Sequence, residues 1–364
     1  MKKRLLSIAA VLAFALTVAA CGGKSGGGEK NGESAPSGAS SSASASASAS
    51  DAGGEGGKKY DGVTVRIGVQ GKGGLFGKAQ EARWFEDAFE AVGAKVQWFE
   101  FQSGPPEVEA MASDHLDFAG MGNMPPVAAQ SAGVDFKIIS QVLQGTNNVA
   151  IIVPKDSAIQ SIADLKGKKV AVTKGSNAFN FLYRVLDKEG LKDSDLQIIQ
   201  LAPDETQPSF EAGKVDAWAV WDPYITLNTL TGKARVLADG QSTGILSPSF
   251  QLVRGGFAKE YPELVTLYLK VQEQARLWEE SHKDEALQRY ADERKVPVDV
   301  MKGVQERSKT INTPVSDETI ADQQKTADFQ FAIGTIKNKI DVSKVFDNQY
   351  ITEALAQSAA EAAK

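Results

Sequence analysis

Side chains able to do covalent chemistry are scarce in these 364 residues. There is one cysteine, Cys21, and there are two histidines, His115 and His282. No His-x-x-x-His pair, no nucleophile elbow between a strand and a helix, and no phosphate loop closing on Gly-Lys-Ser/Thr is present. What recurs instead is small and polar: Gln70, Ser103-Gly104, Gly122-Asn123, Asn147-Asn148, Gly175-Ser176-Asn177 and Trp221-Asp222. Each group stands where a strand is expected to end or the chain to cross between lobes. Glycine lets backbone approach a ligand closely, Ser and Asn supply hydrogen bonds, and a helix opening there presents unpaired N–H groups. The chemistry on offer is noncovalent capture of a small ligand.

The elements that must position these groups come in two similar sets. Val63 to Val69 reads as a strand ending at Gln70-Gly71-Lys72-Gly73-Gly74. A helix follows with Phe85, Ala88, Phe89 and Val92 on one face. Next come a strand (Val96 to Phe101), the turn Ser103 to Pro106, a helix near Glu107 to Met111, and a strand from Leu116 to Met121 that closes on Gly122-Asn123-Met124-Pro125-Pro126. The second set begins with a strand, Lys169 to Thr173, closed by Lys174-Gly175-Ser176-Asn177, and a helix with Phe181, Val185 and Leu186 on one side. A strand (Gln197 to Leu201), a short helix through Phe210 and a strand (Val215 to Val220) lead to Trp221-Asp222-Pro223-Tyr224. Asp117 and Asp216 hold matching places, each the second residue of the last strand of its set. Asn123 and Asp222 follow that strand, where either suits a cap on a helix with Pro in its early turn. The pattern predicts an α/β protein with two parallel-sheet lobes facing one another.

Thr146-Asn147-Asn148 precedes the apolar run Val149 to Val153, and Gly244 to Val253 reads as a strand after the second set. Helical stretches follow, including Leu264 to Glu280 and Asp317 to Ile333. The order is lobe one, lobe two and a return: residues 60–147 plus 243–364 form one lobe and 148–242 the other. Two crossings make a hinge, and the cleft between the lobes can close on a ligand.

The N-terminus sets the expected compartment. Lys2, Lys3 and Arg4 precede an apolar run, Ser7 to Val18, too short for a lasting membrane span. Val18-Ala19-Ala20-Cys21 resembles the bacterial lipobox, whose cysteine is acylated and becomes the mature N-terminus. Residues 1–20 are then the signal peptide. An ordinary cleaved signal with an incidental cysteine is the blander reading. Lipidation of Cys21 leaves no thiol for a disulfide, a metal or a nucleophile, and paired acyl chains give stable anchoring to the cell membrane on its extracytoplasmic side. Residues 21–59 carry that cysteine and a tether rich in Gly, Ser and Ala, too poor in apolar groups to fold. As a flexible coil it spans about 34 Å. Without Lys2, Lys3 and Arg4 the 40 basic side chains fall to 37 against 46 acidic ones. That balance excludes nucleic acid as a partner, and any anionic ligand must be drawn by local dipoles.

Three stretches resemble the aliphatic sulfonate, taurine and nitrate group of substrate-binding proteins of ATP-driven (ABC) importers, and the sulfonate branch above all. They are Ser103-Gly104-Pro105 with Gly122-Asn123-Met124-Pro125-Pro126 and Ala129 to Gly133; Asp164 to Val172 running into Lys174-Gly175-Ser176; and Gly213 to Tyr224. The resemblance implies a two-lobed periplasmic-binding-protein fold of type II, a monomer that delivers ligand to ABC permease subunits, and no cofactor or metal. Taurine, nitrate or a thiamin-precursor pyrimidine are alternative ligands.

A sulfonate is a tetrahedral anion whose oxygens only accept hydrogen bonds, which a helix N-terminus suits. Ser176 and Asn177 open such a helix behind Gly175, although Ser176 also suits a plain cap. Gly122 and Asn123 offer a similar mouth from the other lobe. Asp222 either meets a ligand amine or caps the helix after it, the cap being the more economical role. Trp221 packs on a ligand's alkyl part or fills core. Gln70, Ser103, Gly104, Asn147 and Asn148 are polar contacts from strand ends and crossings, while Lys72 and Lys174 read as solvated loop charges. A pyrimidine-synthesising enzyme on the same fold is the rival class. That chemistry goes with a cysteine-rich box and active histidines, which this chain lacks.

Overall fold

The computed structural model describes residues 58–71 and 74–362. Cys21, the signal segment, the tether up to residue 57 and Lys72 lie outside the described residues. The first lobe begins with strand β1 (Thr64–Gln70), helices α1 (Leu75–Glu81) and α2 (Trp84–Val92), and strand β2 (Lys95–Phe101). Helix α3 (Gly104–Ala112), strand β3 (Phe118–Gly122), helix α4 (Met124–Ser131) and strand β4 (Phe136–Leu143) follow. The second lobe holds β5 (Val149–Pro154), β6 (Lys169–Val172), α5 (Asn177–Lys188), β7 (Gln197–Gln200), α6 (Pro203–Glu211) and β8 (Ala217–Trp221). It ends with α7 (Tyr224–Leu230), β9 (Ala234–Asp239) and the single turn α8 (Gly240–Thr243). The chain then returns through β10 (Ser249–Arg254), α9 (Gly255–Glu260), α10 (Pro262–Ser281), α11 (Lys283–Arg294), α12 (Val298–Arg307), β11 (Thr310–Thr313), α13 (Asp317–Ala332) and α14 (Gln349–Ala362).

Two sheets result, of order β11-β4-β10-β3-β1-β2 and β7-β6-β8-β5-β9. Each has a parallel trio, β2-β1-β3 or β7-β6-β8, flanked by an antiparallel strand that has just arrived from the other lobe, β10 or β5. The matching aspartates explain part of the likeness. Asp117 N–H donates to Arg66 O at 2.9 Å, and Arg66 N–H returns to Asp117 Oδ2 at 3.0 Å. Asp216 and Lys169 make the same reciprocal pair, both bonds 2.8 Å long. Each aspartate thus satisfies the first free donor of a neighbouring parallel strand and fixes register.

Separate cores stabilise the two lobes. In the first, Phe118 stacks on Tyr268 with ring centres 4.0 Å apart, and Phe85 packs edgewise on Trp98. In the second, Phe181 and Trp218 are buried on opposite faces of the smaller sheet. The crossings, 144–148 and 244–248, run side by side. Ser247 N–H donates to Gly145 O at 2.8 Å and Asn148 Nδ2 to Ser247 O at 3.1 Å. Gly145 has φ 77° and lies against the backbone of Ser247 and Pro248, so only glycine fits there.

Three sequence expectations are corrected. The strand expected from Gly244 starts at Ser249, because Gly244, at φ 68°, ends α8 in the left-handed conformation and the crossing follows. The helix expected from Glu107 starts at Gly104, since Pro105 and Pro106 fit its first turn. Asn123 precedes α4 but makes no capping bond. Its carbonyl instead accepts from Gln323 Nε2 at 2.6 Å, and its amide is buried without a partner among the described residues.

Candidate functional site

A cavity of about 340 Å³ lies between the sheets, at the carboxyl ends of β1, β3 and β8. Open parallel sheets bind ligands at those ends, where loops and helix starts converge. Gln70, Gly104, Gly122, Asn148, Ser176, Asn177, Trp221 and Asp222 line it. Ser103, Asn123, Asn147 and Gly175 do not, although each adjoins a residue that does. Asn147 Oδ1 accepts from Gln241 N–H at 3.5 Å, a tie from the first crossing to α8. Gly175, at φ 72°, turns β6 into α5 facing Pro105 of the other lobe.

The start of α5 is the most organised part of the wall. Ser176 Oγ accepts from Phe179 N–H at 3.2 Å and donates to Thr173 O at 2.8 Å, so its hydroxyl caps the helix. Asn177 Oδ1 takes the N–H of Ala178 at 3.0 Å. The N–H of Asn177, at the first helical position, has no partner among the described residues. Across the cleft, a carbon added to Gly122 would stand 2.8 Å from Asn177 Cβ, so glycine there lets β3 meet the start of α5.

Gln70 spends its amide on its own lobe, donating to Glu107 Oε2 at 2.7 Å and Gly120 O at 2.9 Å. Burial pushes the Glu107 carboxyl well above the usual range, and the Gln70 bond only partly opposes it. Asp222 Oδ1 accepts from both the N–H (3.0 Å) and the hydroxyl (2.6 Å) of Thr226, which caps the first turn of α7. Asp222 Oδ2 meets Arg307 Nε at 3.0 Å. Burial raises its pKa against the pull of Thr226 and Arg307. Trp221 lines the cavity and packs against the core clusters on both faces of the second lobe's sheet.

Sequence reasoning missed the wall supplied by α10, α11 and α12. Arg294 lines the cavity, and its guanidinium makes one long bond, 3.5 Å to Gln70 O, with no ion pair among the described residues. Burial pulls its pKa below the ordinary arginine value. Gln272, Glu279, Tyr290 and Ser308 line the same space. The signal was present: Leu287, Tyr290 and Arg294 fall at helical spacing, which puts an arginine in the inward stripe of α11. Neither histidine belongs to the site. His115 is exposed beside Ser113, and His282 stacks on Trp278.

Two lobes joined by paired crossings, with a polar cavity at the strand ends between them, define a periplasmic-binding-protein fold of type II. Residues 78–284 match the family described as NMT1/THI5 like, and the chain belongs to that family. Two relatives bear the name "Putative aliphatic sulfonates-binding protein". The one from Bacillus subtilis (strain 168) is 45% identical over 80% of this chain and 88% of its own length. The one from Escherichia coli (strain K12) is 34% identical over 68% and 78%. The solved structure of the alkanesulfonate-binding protein SsuA from Xanthomonas axonopodis pv. citri, bound to MOPS, superposes with a TM-score of 0.74 at 33% identity, covering 79% of this chain and 99% of that one. These three relatives are named as binding proteins, and the chain is a binding protein rather than an enzyme.

Proposed function

We propose that this chain captures an aliphatic sulfonate in the interlobe cleft and delivers it to the permease of an ATP-driven importer. The observation that carries this reading is that one cavity joins the free N–H of Asn177, the unpaired guanidinium of Arg294 and apolar walls from Phe76, Trp221 and Met301. A helix start and a guanidinium from opposite lobes are complementary to a tetrahedral anion, and the walls shelter an alkyl chain. The names of the relatives support the same ligand class. Taurine held by Asp222 is the weaker reading, because both Asp222 oxygens already have partners.

In this reading residues 60–147 plus 243–364 close against 148–242, and the closed monomer is what the permease accepts. Cys21 carries the lipid that keeps the protein on the outer face of the membrane. A thermal-shift screen against straight-chain alkanesulfonates, taurine, sulfate, nitrate and thiamin precursors tests the ligand class. Ligand at a hundred times Kd stabilises by about 2.7 kcal/mol, and alkanesulfonates should give the largest rise in Tm. A rise with nitrate or a pyrimidine alone would replace sulfonate with that ligand.

A further inference from the structure

Helix α13 reaches both helix starts that face the cleft. Met124 and Val127 of α4 share a small core with Ala327 of α13 and with Ile336 and Val342 beyond it, which anchors α13 in the first lobe. Gln323 and Gln330 of α13 lie two turns apart on one face of the helix. Both are buried, at 2% and 0% exposure. Gln323 Nε2 holds the carbonyl of Asn123, just before α4, at 2.6 Å. Gln330 Nε2 crosses to the second lobe and donates to Asn180 Oδ1 of α5 at 2.9 Å. Asn180 is fully buried and makes no other side-chain bond among the described residues. The Thr335 hydroxyl donates to Gln330 Oε1, which sets the end of the amide that points at α5.

Asn180 stands one turn into α5, where its N–H donates to Ser176 O at 3.1 Å. It shares a face with Asn177, which abuts Gly122 of the first lobe. Resting on the reading of the start of α5 as the anion site, we infer that Gln330 is a positioning residue for ligand binding: through Asn180 it latches α5 to the first lobe and keeps the Asn177 N–H in place once the lobes have closed. An amide pair suits a contact that must part and re-form. Water replaces its bond when the lobes separate, whereas an apolar patch of that size would resist opening. When the lobes are closed the pair is dry, and removing one partner leaves the other without a bond. The bond is made between lobes, so it stabilises the closed state and slows release of ligand rather than its capture.

The test is stopped-flow tryptophan fluorescence on the full-length protein in detergent, with Trp221 in the cavity wall as reporter and a straight-chain alkanesulfonate as ligand. Gln330→Met, close in size but without the donor, should raise the dissociation rate about tenfold, about 1.4 kcal/mol, and leave the association rate within about twofold. Asn180→Leu removes the same bond from the α5 side and should do the same. The double variant should release ligand no faster than either single one. If the alkanesulfonate binds and Gln330→Met releases it at the wild-type rate, or if the two effects add in full, the latch is overturned and the sulfonate reading stands. If no alkanesulfonate binds the wild type, the sulfonate reading falls, and small-angle scattering without ligand decides on the latch. A Gln330→Met particle wider than the wild type then supports it, and an unchanged radius overturns it.

Discussion

Arg307, the last residue of α12, sets its Nε 3.0 Å from Oδ2 of Asp222, the residue that follows β8. The bond ties the helical segment that follows the return crossing to the edge of the cleft after β8. A further oxygen, Asp239 Oδ2, lies 3.8 Å from Arg307 Nη1. Removing one partner of a buried ion pair strands the other charge and costs about 3–5 kcal/mol. Arg307→Gln should destabilise the protein by about 3 kcal/mol in urea melts, and widen the unliganded particle in small-angle scattering. Wild-type stability and radius would show that the pair neither stabilises nor latches.

Gly122 faces Asn177 across the cleft with no space for a side chain. Gly122→Val should leave each lobe's core intact while blocking full closure. Small-angle scattering should then show compaction on adding ligand to the wild type and none in the variant. Equal compaction in both would mean that the lobes do not close through this contact.

Stability should depend on pH through Glu279. Its folded-state pKa, about 8, lies above the ordinary carboxylate value, so the fold holds a proton that the unfolded chain gives up. Its contribution is therefore fully present below the unfolded value, near 4.3, and is lost as pH rises through about 8. Glu107 shifts in the same direction, so the comparison must be with Glu279→Gln. The Tm of the wild type should fall more steeply from pH 5 to pH 8 than that of the variant. Parallel curves would contradict the buried neutral carboxyl.

Cys21→Ala tests the lipid anchor. The variant should leave the membrane fraction that retains the wild type. Full retention without the thiol would end the lipoprotein reading.

Much of the scaffold was legible because it rests on local rules. Alternating apolar residues, Gly-rich strand ends and the Asp117 and Asp216 repeat gave the parallel trios, and the capping preference of serine gave Ser176 at the start of α5. What stayed hidden depends on packing between distant segments. Asn123 had a cap's sequence position, yet Gln323, from α13, takes its carbonyl and the amide turns inward. Arg294 and Glu279 lie in long helices whose spacing reveals an inward face but not the lobe or cavity it meets. The bond from Arg307 to Asp222 was invisible for the same reason.

The most direct measurement is titration calorimetry of a straight-chain alkanesulfonate against wild type, Asn177→Pro and Ser176→Ala. Asn177 is the first residue of α5, where proline is well accommodated, and Ser176 before it is already extended at ψ 170°. Asn177→Pro thus keeps the helix while removing the free N–H and the side-chain amide. Losing one charge-assisted bond of about 1.5–3 kcal/mol should weaken binding more than tenfold. Ser176→Ala, which removes the cap, should lower stability by about 1 kcal/mol. A sulfonate that binds wild type tightly and Asn177→Pro equally well would contradict a site built on the start of α5.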